Sequence, residues 1–260
     1  MLNFSKYQGT GNDFIMVDNR SGSYDSLSIE QIQGLCDRKF GIGADGLIKL
    51  NHHSDCDFEV DYYNADGSKS FCGNGARCSV QFAADLGIDV SSTRFMAIDG
   101  IHSAWKKGDL IELEMLDVNA VDRDDEAYVI NTGSPHFVRF VKNIETFDVV
   151  EYGRSIRYNK TYKQQGVNVN VIEILSSNSF EIKTYERGVE DETLSCGTGV
   201  TASALAFAVE NNLVGEQLII AKTQGGECKV SFVRNENTFT SVRLIGPAKF
   251  VFKGEVNEHV

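Results

Sequence analysis

Residues 72–75 read Cys-Gly-Asn-Gly, and residues 196–199 read Cys-Gly-Thr-Gly. The sequence predicts a helix directly after each of these turns, over residues 76–86 and 200–211. The second helix reads VTASALAFAVEN and is apolar on nearly every side. Because such a helix is usually buried in the middle of a domain, the two turns indicate two central helices, each entered through a cysteine.

Other segments recur in the same order around these turns. TGNDF at 10–14 is echoed by TGSPHF at 132–137, and a tyrosine-led segment precedes each cysteine turn, at 63–67 and 185–188. Three similar segments thus recur in the same order and at nearly the same distance along the chain, which indicates an internal duplication. A single pair of glycine-rich turns could have arisen by chance. We therefore predict two similar halves with a boundary in the acidic stretch 117–127.

Most of the remaining chain has the pattern of β-strands. Alternating, β-branched or aromatic runs predict strands at 13–18, 56–63, 110–116, 167–174, 180–186 and 250–252. One more helix is expected over residues 28–39, where Ser28 and Gln31 stand at the spacing of a capping box. Many strands around a few buried helices favour an α+β fold over a strictly alternating parallel sheet.

The composition narrows the class of protein. The chain has 260 residues, 42% of them hydrophobic and 24% charged, which is typical of a globular protein of one or two domains. Its 37 acidic and 25 basic residues give a net charge of −12, which argues against nucleic acid or an anionic membrane as the main partner. Neither a membrane-spanning run nor a secretory signal is evident, so we expect a cytoplasmic protein.

The six cysteines divide into two groups. The sequence has no Cys-x-x-Cys pair and only five histidines, so we expect no metal site. Four cysteines have no matched counterpart and are expected to pack in the core as free thiols: Cys36, Cys56, Cys78 and Cys228. Cys72 and Cys196 differ because each opens one of the two matched turns.

Cys72 and Cys196 stand where a thiol can transfer protons beside a bound carboxylate. The glycines leave backbone N–H groups open to a ligand, and a helix N-terminus favours both an anion and a thiolate. If the two halves face each other, a thiolate and a thiol can flank one carbon and invert it, exchanging roles in the reverse direction. The same N–H groups would stabilise the charge that develops on the carboxylate.

Two other classes of function remain open on these residues. A Cys–His hydrolase would use one thiol with His136, but it leaves the second turn unexplained. A non-catalytic anion-binding protein would use only the two helix N-termini. Residues 41–46 match G-x-G-x-x-G, but a helix precedes them and a strand follows, which is the reverse of a dinucleotide-binding motif. We therefore expect no nicotinamide or flavin cofactor.

Four segments resemble the signature blocks of the diaminopimelate epimerase family: GTGNDF at 9–14, YNADGS at 63–68, CGNGARC at 72–78 and YERGVEDETLSCGTG at 185–199. The resemblance implies a cofactor-independent epimerase that converts LL-2,6-diaminopimelate to the meso form, in lysine and cell-wall synthesis. It also implies that the protein can form a homodimer. The nearest alternative is a proline racemase or hydroxyproline epimerase of the same fold.

The resemblance further implies the architecture. Each of two pseudo-symmetric halves is a mixed, strongly curved β-sheet around a central helix, and the strand around 250–252 returns to the first half. The expected domains are thus residues 1–117 with 248–260, which hold Cys72, and residues 118–247, which hold Cys196.

Roles for individual residues follow from the same resemblance. Cys72 and Cys196 match the acid/base pair, and Glu186 and His136 match polar residues that assist proton transfer. The residues expected to bind substrate are Asn12, Asn64, Gly73, Asn74, Asn168, Glu186, Arg187, Gly197 and Thr198. Asn64, Asn168 and Arg187 suit a second amino-acid head group. Proline lacks such a group, so these residues favour diaminopimelate over proline as the substrate.

Some of these assignments have a simpler interpretation from the residues alone. Asn64 and Asn168 could equally be turn or strand residues, and a histidine after a proline, such as His136, is more often structural. Two positions also depart from the family pattern, since many relatives have Asn at Ser134 and Gln at Gly46. We expect water or a neighbouring side chain to take over the substrate contacts that the longer side chains make in those relatives.

Overall fold

The computed structural model describes residues 1–257, so residues 258–260 of the predicted first half lie outside it. By residue contacts the chain divides into two compact units, Met1–Leu113 with Gly246–Val260, and Glu114–Ile245. No helix within the described residues is long and apolar enough to cross a membrane.

The strands and helices follow one another along the chain in this order: β1 (Leu2–Gly9), β2 (Asn12–Asp18), α1 (Ile29–Cys36), β3 (Gly46–Asn51), β4 (Phe58–Asn64), α2 (Gly73–Asp85), β5 (Thr93–Ala97), β6 (Gly100–Lys107), β7 (Leu110–Glu114), β8 (Asp122–Asp124), β9 (Ala127–Asn131), β10 (Pro135–Phe140), a 3₁₀ turn (Ile144–Thr146), α3 (Val149–Arg157), β11 (Asn168–Ser176), β12 (Ser179–Glu186), β13 (Asp191–Thr193), α4 (Gly197–Glu210), β14 (Gly215–Thr223), β15 (Gly226–Asn235), β16 (Thr238–Pro247) and β17 (Lys249–Val256).

The first unit is a mixed sheet in the order β17-β1-β2-β3-β4-β5-β6-β7. The pairs β2–β3 and β4–β5 are parallel, and the other pairs are antiparallel. Helix α2 packs against strands from across this sheet, from β17 to β6. It is therefore the central helix of the unit, and its N-cap, Cys72, lies beside Asn12, the first residue of β2.

The second unit repeats this arrangement. Its order is β8-β9-β10-β11-β12-β14-β15-β16, again with two parallel pairs, β10–β11 and β12–β14. Helix α4 is its central helix and contacts strands from β9 to β15. The strand from the C-terminal segment, β17, thus has the place in the first unit that β8 has in the second.

The register of the strands gives residue-by-residue equivalence between the units. Phe14 pairs with Gly46 in the first parallel pair of one unit, and His136 pairs with Asn168 in the other. Two residues further along, Ile48 lies opposite Tyr62 and Asn170 lies opposite Thr184. The duplication inferred from sequence is therefore present in the topology, and the α+β fold class is confirmed.

The central helices begin three residues earlier than the sequence predicted. Cys72 and Cys196 are their N-cap residues, with φ −133° and −115° in the extended region, so Gly73 and Gly197 are already helical. Tertiary packing allows the first turn to be glycine-rich despite the poor helix propensity of glycine. Helix α1 has the predicted capping box of Ser28 and Gln31 but ends at Cys36.

Candidate active site

The Cys72 turn is fixed by hydrogen bonds to its sulfur and to a nearby amide. The Cys72 Sγ accepts from the Gly75 N–H at 3.5 Å and lies 3.5 Å from Oδ1 of Asn12, to which the thiol donates. The Asn74 side chain donates to the same oxygen at 3.3 Å. Three residues assigned to the site by resemblance, Asn12, Cys72 and Asn74, are therefore in contact.

The amide of Asn12 has a determined orientation. Its Nδ2 donates to the carboxylate of Asp45, which also pairs with Arg38 at 2.7 Å. Because a carboxylate only accepts, the Asn12 oxygen must point the other way, towards the thiol. Next to this pair, burial of Asp13 opposes ionisation, but hydrogen bonds from Arg38 and Lys6 lower its pKa below the usual value. A cluster of charged side chains, which is buried at Lys6 and exposed at Arg38, thus holds Asn12.

A cation lies under the same turn. Arg77 is fully buried, and its guanidinium donates to Asn74 Oδ1 at 2.8 Å, to Thr10 Oγ1 at 3.3 Å and to the Gly73 carbonyl at 3.5 Å. These partners are all neutral, and its Nε has no hydrogen-bond partner. Sequence reasoning missed Arg77; the signal was a charged residue within a helix expected to be central.

Asn64 makes its side-chain hydrogen bonds within its own loop. Its Oδ1 accepts from the Tyr62 hydroxyl at 2.9 Å, and its Nδ2 donates to Ser68 and Ser70. The Tyr62 ring lies where a side chain at Gly46 would be, since a Cβ there would be 2.5 Å from that ring. The space next to Gly46 is therefore filled by a neighbouring side chain.

In the second unit the cysteine faces hydroxyl groups. The Cys196 Sγ lies 3.5 Å from Thr198 Oγ1, and that oxygen lies 2.9 Å from His136 Nε2. Ser134 Oγ is 3.0 Å from the same nitrogen and 3.2 Å from Thr198 Oγ1. Cys196, Thr198 and His136 are thus brought together. Ser134, one of the two positions that depart from the family pattern, lies in the same cluster.

His136 is fully buried and uncharged. Burial, and then the positive charge of Arg187, lowers its pKa to about 3. Its Nδ1 lies 3.1 Å from Nδ2 of Asn170, whose Oδ1 accepts from the Thr184 hydroxyl at 2.9 Å. Sequence reasoning overlooked Asn170 and Thr184, although Asn170 follows Asn168 at the two-residue spacing that puts both on one face of a strand.

Asn168 connects this cluster to the end of β12. Its Nδ2 donates to Ser134 Oγ at 3.1 Å, and its Oδ1 accepts from the Arg187 backbone N–H at 2.9 Å. The Arg187 guanidinium donates to the Gln165 carbonyl at 2.8 Å. Glu186 accepts from the Thr193 hydroxyl at 2.9 Å. Asn168 and Arg187 are therefore in contact, whereas Glu186 bonds to the adjoining strand β13.

Known proteins are similar to this chain over nearly its whole length. The family model described as diaminopimelate epimerase matches residues 4–110 and 128–251. A diaminopimelate epimerase from Flavobacterium psychrophilum is 50% identical over 250 residues, covering 95% of this chain and 97% of that one. Another from Chlorobaculum tepidum is 39% identical over 257 residues, covering 95% and 98%.

The chain belongs to the diaminopimelate epimerase family. The family identified by resemblance is therefore confirmed, and with it the class of isomerases. Among solved structures, a PhzF-family phenazine biosynthesis protein from Bacillus anthracis has a TM-score of 0.74 at 16% identity, covering 98% of this chain and 99% of that one. A probable proline racemase from Agrobacterium radiobacter has a TM-score of 0.70 at 15% identity, covering 99% and 93%. These two show a shared fold.

The cysteines and the acidic residues show neither a metal cluster nor a cross-link. Across residues 1–257, no group of three or more His, Cys, Asp or Glu side chains is arranged to hold a metal ion. None of the six cysteines, all of which are described, forms a disulfide.

Proposed function

We propose that the protein interconverts LL- and meso-2,6-diaminopimelate by moving the α-proton between the thiols of Cys72 and Cys196. Relatives that match nearly the whole chain are named for this reaction. The observation that carries the assignment of the two residues is their equivalent position in the fold. Each cysteine is the N-cap of the central helix in one of two units of the same topology.

Inversion of the α-carbon needs a base on one face and an acid on the other. In our proposal one thiolate removes the proton, and the other thiol returns a proton to the opposite face. In the reverse direction the two sulfurs exchange roles. No redox change is involved. After one turnover the initial thiolate is a thiol and the other thiol is a thiolate, so the total number of protons on the two sulfurs is unchanged.

The backbone of the two turns is proposed to bind the reacting carboxylate. The N–H groups at Gly73, Asn74, Gly197 and Thr198 stand at helix N-termini, where the direction of the first-turn N–H groups and the helix dipole favour an anion. These donors would also stabilise the negative charge that moves onto the carboxylate as the α-proton leaves.

The far end of diaminopimelate is a second amino-acid group. Its carboxylate suits the Arg187 guanidinium, and its ammonium suits the amide oxygens of Asn64 and Asn168 and the Glu186 carboxylate. We assign Asn12 to the substrate-binding group as well, on the basis of its contact with the Cys72 thiol.

His136 is proposed to act through hydrogen bonds. With its pKa lowered to about 3 it stays neutral near pH 7, so it does not carry a proton between steps. Its contact with Thr198, next to Cys196, places a neutral donor network beside the thiol. We further propose a place in lysine biosynthesis in the cytoplasm, where six free cysteines stay reduced.

The test is conversion of one pure stereoisomer. Reduced protein is incubated with LL-diaminopimelate, and the LL and meso forms are separated by chiral chromatography. We expect approach to an equilibrium mixture from either isomer. Absence of conversion by folded, reduced protein, together with conversion of L-proline to D-proline, would replace this proposal with a proline racemase.

A further inference from the structure

We propose that Asn170 is a positioning residue for Cys196. It acts by fixing which nitrogen of His136 carries the proton, and so turns a hydroxyl hydrogen towards the Cys196 sulfur. The part that Cys196 plays in turnover rests on the proposed function, whereas the tautomer of His136 does not depend on it.

The orientation of the Asn170 amide is determined by its neighbours. Its Nδ2 lies 3.3 Å from the backbone carbonyl of Phe137, and a carbonyl oxygen only accepts. At the other end, Oδ1 accepts from the Thr184 hydroxyl at 2.9 Å. Asn170 is fully buried, so no solvent competes for either group. The amide nitrogen therefore faces both Phe137 and the imidazole.

This orientation selects one tautomer of His136. The amide N–H of Asn170 donates to Nδ1 at 3.1 Å, so Nδ1 has a free lone pair and no proton. A neutral imidazole carries one N–H, and burial keeps the imidazole neutral by lowering its pKa to about 3. The proton is therefore on Nε2.

The Nε2 proton in turn orients the hydroxyl of Thr198. The Thr198 Oγ1 lies 2.9 Å from Nε2 and accepts from it. Once this oxygen accepts, its own hydrogen points either to Ser134 Oγ at 3.2 Å or to the Cys196 Sγ at 3.5 Å, and a negative charge on the sulfur favours the second. A thiolate is the stronger acceptor of the two protonation states. The chain from Asn170 thus stabilises the thiolate of Cys196 without adding a charge.

Among residues 1–257, the first unit has no imidazole–amide pair at the equivalent positions. At the positions equivalent to His136 and Asn170 stand Phe14 and Ile48. A Cβ on Gly75 would contact Ile48 Cδ1 at 3.1 Å, where a Cβ on Gly199 would contact Asn170 Oδ1 at 2.5 Å. At these two equivalent positions the duplicated turn therefore packs against apolar side chains in the first unit and against an imidazole and an amide in the second.

Two measurements test the proposal. Long-range ¹H–¹⁵N spectra of the free enzyme labelled with ¹⁵N-histidine are expected to show the His136 resonances of a neutral ring protonated on Nε2. A ring protonated on Nδ1, or a charged ring at pH 7, would overturn the assignment whether or not the protein is an epimerase. This measurement needs no variant and no substrate.

The second measurement uses Asn170→Leu, which keeps the volume and removes the donor. We expect kcat to fall by about 10- to 100-fold with KM within about threefold, because the change acts on proton transfer. The acidic limb of the kcat/KM profile is expected to move to higher pH, since the Cys196 thiolate has lost stabilisation. Thr184→Val, which leaves Asn170 in place without its hydroxyl partner, is expected to shift the same limb by less.

Ser203→Ala is the matched control. Ser203 is also buried in the second unit, and its hydroxyl has no hydrogen-bond partner. We expect it to leave kcat and the pH profile unchanged. If folded Asn170→Leu and Thr184→Val both keep the wild-type pH profile, the positioning role is wrong. If instead the wild type converts no diaminopimelate while its His136 carries the proton on Nε2, the proposed function fails and the tautomer assignment stands.

Discussion

Phe14 and His136 occupy corresponding positions in the two units. Each opens the first parallel strand pair of its unit, and each ring edge faces a glycine of the neighbouring cysteine turn. A methyl group on Gly75 would lie 3.5 Å from the phenyl ring, and one on Gly199 would lie 3.3 Å from the imidazole. The same place in the duplicated fold is thus apolar beside the first cysteine and polar beside the second.

The two turn glycines are expected to respond differently to a methyl group. In Gly199→Ala the new Cβ lies 2.5 Å from the Asn170 amide oxygen, so the buried amide must move. In Gly75→Ala the contact is 3.1 Å to the end of the flexible Ile48 side chain, which can give way. We expect urea denaturation to show a loss of about 1–3 kcal/mol for the first variant and less than about 1 kcal/mol for the second. Equal losses would contradict the packing described for the second unit.

The low pKa of His136 predicts a stability that falls in acid. The unfolded chain binds a proton near pH 6.5, the ordinary value, whereas the folded protein binds it only near pH 3. Between these values the unfolded state holds more protons, so the contribution is complete above pH 6.5 and is lost as the pH falls towards 3. Urea denaturation from pH 7 to pH 4 is expected to give a shallower loss for His136→Gln than for the wild type. An unchanged slope would mean that the imidazole is not buried as a neutral ring.

Of the two proposed catalytic thiols, only that of Cys72 is expected to respond to the buried guanidinium of Arg77. Arg77→Met removes a positive charge beneath the Cys72 turn and leaves the Cys196 turn untouched. Because a nearby cation favours the thiolate, iodoacetamide at pH 7.5 should alkylate Cys72 more slowly in this variant. Mass spectrometry of both cysteine peptides gives the rate at Cys196 as an internal control. Arg77→Lys, which keeps the charge, should alkylate faster than Arg77→Met; equal slowing at both thiols would contradict a local effect.

Removal of the Asp13 carboxylate from the charge cluster next to Asn12 is expected to lower the free energy of unfolding strongly. Asp13 pairs with the buried Lys6 at 2.7 Å and with Arg38 at 2.6 Å. Asp13→Asn leaves a buried ammonium without its counter-ion, which typically costs about 3–5 kcal/mol. Asp18→Asn is the control, because Asp18 forms a solvent-exposed pair and should cost less than about 1 kcal/mol. Similar shifts in the urea midpoint for both variants would argue against the buried pair.

Local signals predicted the parts of the fold that local forces determine. The capping box of Ser28 and the apolar helix after Cys196 are both present. Both could be predicted because a capping box and an apolar helix are patterns of residues close together in the sequence. Helix α3 was not predicted, and its sequence includes Gly153, a poor helix former. The structure gives the reason: a Cβ at Gly153 would lie 2.4 Å from the Tyr185 side chain. Tertiary packing, which a single segment does not reveal, required the glycine.

Only the site residues that lie in recognisable sequence motifs could be predicted. The two cysteine turns were found because they repeat. Asn170 and Thr184 lie on neighbouring strands and meet only through the register of β11 and β12. Arg77 was overlooked because its partners are the Asn74 side chain, the Gly73 carbonyl and Thr10 rather than an acidic residue. Polar side chains that meet only because two strands pair do not form a recognisable pattern in the sequence.

The role of the two thiols is tested most directly by α-hydrogen exchange in deuterated water, followed for each stereoisomer with Cys72→Ala and Cys196→Ala. We expect either variant to lose at least about 10²-fold in epimerisation rate, which is the lower end of the contribution of a general acid or base. Residual deuterium incorporation should favour opposite isomers in the two variants, because each retains a different base. Epimerisation within tenfold of the wild type by either folded variant would contradict a mechanism that needs both sulfurs.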